Sequence, residues 1–173
     1  MRAFAHSAVA LAMGTVVGTL GAAPAHSADG IGCKVTVHVS LTPGLSVPPS
    51  SGTFTSTEPA PVSCSGQING HRVTCSGTFV ENGRYGTSGP WTCQDEGDGD
   101  GQFTIVVPTE AGPQTVTRKY TLRFALLTPP GHLAGGTFSG TDFAGDYSAI
   151  PTDGDCIVRP VTAADSTDEW KFN

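Results

Sequence analysis

Positive charge is what this chain lacks most. Nine Lys and Arg stand against fifteen Asp and Glu, a formal net charge of −6, and no stretch gathers its bases into a patch. A grip on nucleic acid or anionic lipid is electrostatic and needs the opposite sign. Neither is expected as a partner. Long apolar runs are missing too: "AVALAMGTVVGTL" (residues 8–20) falls short of the roughly 20 residues that cross a bilayer as a helix. No helical period persists for three turns, a short turn near 162–165 aside. There is no C-x₂₋₄-C spacing of the kind zinc sites show, and no G-x-S-x-G nucleophile elbow. No H-x-x-x-H, H-E-x-x-H or Asn-x-Ser/Thr appears. These absences remove zinc modules, zinc peptidases and α/β-type serine hydrolases, and no cofactor is expected.

What is present begins with a leader. Arg2 supplies a positive start, residues 8–20 the apolar segment, and Ala23-Pro24-Ala25 an A-x-A cleavage match, the organisation of a secretory signal peptide. Cleavage is expected after Ala25, alternatively after Ala28. Removal of Arg2 makes the balance one unit more negative. Residues 26–173 are then one single domain of ordinary size, with an acidic C-terminal tail from about 161. The mature protein is expected outside the cell, with no membrane attachment once the leader is gone.

All five cysteines (Cys33, Cys64, Cys75, Cys93, Cys156) lie in the exported part. Export permits disulfides, and the odd count leaves one thiol free or paired between chains. Two of them flank "CSGQINGHRVTC" (residues 64–75). Asn-Gly is the preferred pair for a type I′ turn, and a two-residue turn at Asn69-Gly70 sets Ile68 opposite His71 and Cys64 opposite Cys75. Val62, Cys64, Ile68, His71, Val73 and Phe79 share the apolar face of that hairpin, where His71 reads as a partly buried, satisfied side chain. Two disulfide patterns remain open. One staples Cys64 to Cys75; the other joins Cys64 to Cys93 and Cys33 to Cys156 and buries Cys75.

Strand alternation runs through the rest. In "CKVTVHVSL" (33–41), Val35, Val37, Val39 and Leu41 face one way and Lys34, Thr36, His38 and Ser40 the other. Strands are expected at 53–57, 62–68, 71–80, 84–87 and 91–93, through "QFTIVVP" and "TVTRKYTLRFALL", and near 133–139, 143–148 and 156–159. Asn82-Gly83 marks a further tight turn. "GTF" recurs at Gly52, Gly77 and Gly136 with "GQF" at Gly101, a glycine two before an inward Phe. About 8–10 short strands divided by Gly, Pro and Ser turns predict an all-β, disulfide-bearing fold: an antiparallel β-barrel, alternatively a β-sandwich.

Candidate chemistry is sparse. In "CQDEGDGDGQF", Glu96, Asp98, Asp100 and Gly101 match positions 1, 3, 5 and 6 of a calcium loop, but Val107 stands where the bidentate Glu belongs. A solvated Asp-Gly turn is the simpler reading, and no metal is expected. Asp142, Asp146, Asp153 and Asp155 supply carboxylates that in pairs could hydrolyse glycosides, yet Asp beside Gly or Thr is ordinary turn chemistry. Trp91, with Tyr85 and Tyr120, could form a stacking platform for sugars, Trp91 being the best candidate of the three for exposure, but a β-domain's aromatics are more often its core, and Tyr120 fits an inward face.

The leader, the spaced cysteines, the "GTF" strands and "PTDGDC" together resemble small exported β-rich proteins of high-GC actinobacteria. That resemblance implies export and an all-β fold, and it transfers no site. The function that follows is a secreted or cell-wall-associated, non-enzymatic binding or structural domain whose ligand is unspecified. The alternative is a secreted hydrolase using paired acidic residues. No residue is assigned a catalytic role.

Overall fold

The structure, a computed structural model, describes residues 30–125 and 134–172. The leader with its cleavage site, His26 and His132 lie outside the described residues. Among the described residues there is no helix. Ten strands form one antiparallel sheet: β1 (Ile31–Leu45), β2 (Gly52–Ser56), β3 (Ala60–Ile68), β4 (His71–Arg72), β5 (Gly77–Tyr85), β6 (Gly97–Thr109), β7 (Gly112–Ala125), β8 (Ala134–Ser139), β9 (Phe143–Asp153) and β10 (Val161–Phe172). They lie in the order β10-β9-β8-β7-β6-β5-β2-β1-β3-β4, with β10 also pairing to β1 and β5 to β3.

The long first strand organises the sheet. Its alternation buries Val35, Val37, Val39 and Leu41 and leaves Lys34 and Thr36 outside. Both edges of β1 are used. One pairs with β10, from Gly32 opposite Lys171 to Ser40 opposite Ala163; the other pairs with β3 over residues 31–35 and with β2 over residues 39–42. The inward side chains of all these strands form a continuous apolar cluster, and burial of each large one is worth about 1.5–3 kcal/mol. At its centre Phe103 touches five rings, those of Phe79, Tyr120, Phe143, Trp170 and Phe172. The four glycine-spaced phenylalanines, Phe54, Phe79, Phe103 and Phe138, are all buried.

Several sequence expectations change here. The segment from 161, expected as an acidic tail with a helical turn, is β10. It is held on both sides, by β1 and β9, and Trp170 and Phe172 are buried. Asn82-Gly83 is not a turn; it lies inside β5, where a Cβ on Gly83 would run into the Phe54 ring. Glycine is there to let an aromatic ring lie across the strand, a need that outweighs its turn preference. Residues 156–159 are not a strand. They form a tight turn in which Asp155 Oδ1 accepts from the backbone N–H groups of Ile157, Val158 and Arg159.

The hairpin at Asn69-Gly70 forms as expected, with Ile68 opposite His71 and Gln67 opposite Arg72, and then stops. Gly66 adopts φ of 114° and Val73 N–H donates to its carbonyl at 3.1 Å. The chain then leaves β3, so that Val73 pairs with Thr109 instead. Cys64 therefore faces Cys33 across the β1–β3 ladder, not Cys75. The disulfides are Cys33–Cys64 and Cys93–Cys156. Both expected patterns are corrected: Cys75 is free and exposed, and so is His71. Native protein should therefore give one reactive thiol per chain with Ellman's reagent, and any covalent dimer should vanish in Cys75→Ser. Two or more fast-reacting thiols would contradict this pairing.

Candidate functional site

The calcium-like stretch does not become a loop. Residues 97–101 open β6, with the glycines inward and Asp98 and Asp100 outward. A Cβ on Gly97 would sit 2.5 Å from the Trp91 ring, and one on Gly101 2.6 Å from Tyr120. The alternating glycines make room for rings, and the carboxylates are what remains on the solvent side. Both are engaged. Asp98 accepts from the Ser88 backbone N–H at 3.0 Å and from its hydroxyl, hydrogen bonds that hold its pKa below the usual carboxylate value. Asp100 takes the Arg84 fork at 2.9 and 2.5 Å. Glu96 is exposed and precedes the strand. Among the described residues no three of His, Cys, Asp and Glu gather as a metal site requires. The melting temperature is expected to be the same in millimolar calcium and in chelator; a calcium-dependent rise would restore the metal reading.

The four aspartates do not converge either. Asp142 pairs with Arg118 at 2.7 Å, just before the start of β9. Asp146 lies on the outer face of β9 between Thr137 and Glu169. Asp153, at the far end of β9, accepts from Thr162 at 2.5 Å and lies 3.5 Å from Arg159, while Asp155 caps its own turn. Asp142, Asp153 and Asp155 are used locally, in a surface pair or a turn, and Asp146 stands exposed on the outer face.

Trp91 belongs to the core and not to a surface platform. It is 4% exposed and stacks on Phe124 with centroids 4.2 Å apart, while its indole N–H donates to the Asp95 carbonyl at 2.6 Å. Tyr85 and Tyr120 are buried as well. Together the three line a cavity of about 60 Å³. Its walls are mostly aromatic and aliphatic, with a contribution from the "GTF" phenylalanines 54, 79, 103 and 138.

Two carboxyl groups that no motif marks face this cavity. Glu81 on β5 is 7% exposed and Asp168 on β10 is 6% exposed. Tyr120 Oη donates to Glu81 Oε2 at 2.7 Å, and Ser166 Oγ to Asp168 Oδ1 at 2.6 Å. Burial, reinforced by the neighbouring Asp168 charge, pushes the Glu81 pKa up to about 8 against the pull of the Tyr120 hydrogen bond. Burial likewise pushes Asp168 up to about 6, with Ser166 opposing. Tyr120 is raised well above its ordinary value, first by burial and then by Glu81, so it stays a phenol and a donor. Near neutral pH the pair therefore holds one proton, mainly on Glu81, and one negative charge, mainly on Asp168. No Lys, Arg or His lines the cavity.

The signal for both residues was parity. Glu81 shares its strand face with Phe79 and Tyr85, and Asp168 shares its face with Ala164, Trp170 and Phe172. A carboxylate in the inward phase of a strand is the anomaly to look for, since Asp and Glu are almost never fully buried without a partner. In "DSTDEWKFN" the crowd of acids hides that phase.

No protein-family model, no curated protein and no solved structure matches this chain. The class that can be stated is an all-β, disulfide-bonded domain with an acid pair in its interior. Its two disulfides are compatible with an extracellular protein, and no helix among the described residues is long and apolar enough to cross a membrane.

Proposed function

We propose that the chain is a secreted β-barrel whose interior binds a small molecule, and that it acts by binding rather than by catalysis. The ring of pairings from β1 through β2, β5, β6, β7, β8 and β9 to β10, and from β10 back to β1, supports closure of the sheet. Closure removes the free edges on which strands aggregate. The outer face of β7 carries Thr115, Thr117, Lys119, Thr121 and Arg123, all exposed, which supports a barrel surrounded by water. A transmembrane barrel would need an apolar outer band there. The observation that carries the binding reading is the cavity itself: apolar walls, a few convergent polar groups and shifted carboxyls, the usual make-up of a ligand site.

A second reading, hydrolysis by Glu81 as acid and Asp168 as base or nucleophile, is favoured by the separation of their proton affinities, the pattern that assigns such roles in known enzymes. Size argues against it. About 60 Å³ is room for roughly four to six waters at about 10–15 Å³ of water-sized space each, still less than a sugar ring and its leaving group. The discriminating experiment is a fragment screen read at the indole N–H resonances of Trp91 and Trp170, with chromogenic glycoside and ester turnover measured on the same sample. Saturable shifts without turnover are the expected result. Turnover that disappears in Glu81→Gln would replace binding with catalysis, and unmoved indole signals across the screen would end the binding reading.

A further inference from the structure

We propose that the interior is a site for a small organic ammonium ion carrying a hydroxyl group, of the amino-alcohol class, with Glu81 and Asp168 as its counter-ions. This rests on the binding reading above and names the ligand chemistry for the same cavity.

Charge points to a cation. A carboxylate removed from water is strongly destabilising unless a positive partner and hydrogen bonds replace the lost hydration. The Asp168 carboxylate receives a hydrogen bond from Ser166, yet no cationic side chain lines the cavity. An ammonium group supplies the missing charge and several N–H donors at once, so it engages both carboxyls without requiring both to be protonated. The walls suit the same group. Phe103 lies opposite Glu81 across β5 and β6, and Tyr147 opposite Asp168 across β9 and β10; ring faces attract desolvated cations, by about 2 kcal/mol in sheltered sites.

The hydroxyl follows from an independent observation. Trp170 is 3% exposed and lines the cavity, and its Nε1 has no hydrogen-bond partner. An indole N–H only donates, and leaving a buried donor unpaired costs about 1–3 kcal/mol. An ammonium cannot accept that hydrogen, whereas an oxygen on the same ligand can. Volume sets the scale: about 60 Å³ admits a ligand of a few heavy atoms and excludes nucleotides, peptides and sugars.

The test uses the mature, oxidised protein at pH 7 and three probes of nearly equal size. These are ethanolammonium, its uncharged isostere propan-1-ol, and the anion glycolate. Binding is read as saturable movement of the Trp170 indole N–H resonance. Ethanolammonium is expected to bind at least about tenfold more tightly than propan-1-ol, a difference of roughly 1.4 kcal/mol, and glycolate not at all. The Glu81→Gln/Asp168→Asn double variant keeps the shape and should lose that preference, its fold being checked from the unchanged remainder of the amide spectrum. Equal binding of ethanolammonium and propan-1-ol, or a preference that survives in the double variant, overturns the cation assignment but leaves an interior binding site standing. Failure of all three probes to move the resonance overturns both.

Discussion

Between pH 4.5 and pH 8.5 the protein is expected to lose about 3–5 kcal/mol of folding stability, and Glu81→Gln is expected to abolish most of that loss. The sign follows from proton counting. Glu81 titrates near its ordinary 4.5 in the unfolded chain and near 8 in the folded one; Asp168 moves from 3.8 to about 6. Across that window the native state holds more protons than the unfolded state, so stability falls as pH rises. A tenfold change in proton affinity is worth about 1.4 kcal/mol, and the two carboxyls count as one coupled pair. The titratable groups that share the cavity with Glu81 are Tyr85 from β5, Tyr120 from β7, Tyr147 from β9 and Asp168 from β10, while its β6 neighbour, Phe103, is apolar. All three tyrosines are raised, by burial first, so none titrates in the window. At lower pH the surface works the other way. Asp98 and Asp155 have depressed values, Asp98 through Ser88 and Asp155 through the backbone N–H groups of its turn. Their contribution is lost as pH falls through those values. Stability is therefore greatest near pH 4, where the two trends cross, and urea denaturation at pH 3, 4.5, 6.5 and 8.5 measures it. In Glu81→Gln the midpoint at pH 8.5 should exceed that of the parent. If it does not, Glu81 is not the buried acid described above.

The second large effect concerns the Cys93–Cys156 bond. The double variant Cys93→Ser/Cys156→Ser should lose roughly 4 kcal/mol, the value expected from loop-closure entropy at a separation of 63 residues. The Cys33–Cys64 bond, at a separation of 31, should give a comparable number in urea, so the distinction lies in where each is felt. Cys33 and Cys64 are already held opposite one another in the β1–β3 ladder. Cys93 and Cys156 sit outside every strand, in the connection before β6 and in the turn before β10. Without their bond, what holds the 91–95 segment is the Ser50–Trp91 bridge, the Trp91–Asp95 and Thr92–Asp95 hydrogen bonds and local packing. Trp91 lines the cavity, so losing this bond should loosen one wall of the site. Hydrogen exchange should accelerate at 91–95 and 154–159, and acrylamide quenching of tryptophan should rise. The Cys33→Ser/Cys64→Ser protein should show neither change. Equal local exchange in both variants would mean that Cys93–Cys156 has no special hold on the cavity wall.

How much was legible beforehand differs by kind of residue. Strand faces were readable because alternation is a property of consecutive residues: Val35, Val37 and Val39, or Phe54 two beyond Gly52, need no knowledge of neighbours. Turn signals were ambiguous. Asn69-Gly70 turned and Asn82-Gly83 did not, because a ring from another strand, Phe54, needed the space that Gly83 leaves. The acidic clusters misled for a related reason. Asp98, Asp100, Asp142 and Asp155 stand out in a linear reading, yet they are outward residues answered by Ser88, Arg84, Arg118 and a backbone turn. The two carboxyls that line the cavity stand in separate strands, Glu81 alone in β5 and Asp168 among the acids of β10.

From the chain alone came the absence of helix among the described residues, the inward and outward phase of most strands and the oxidised cysteines, since each depends on local pattern or on summed composition. Which cysteine meets which, that Trp91 turns inward, and that Glu81 and Asp168 share one cavity were decided only by the tertiary pairing. Those meetings depend on register between strands far apart in sequence, and register is set by the joint packing of every inward side chain at once, a quantity that no single segment carries.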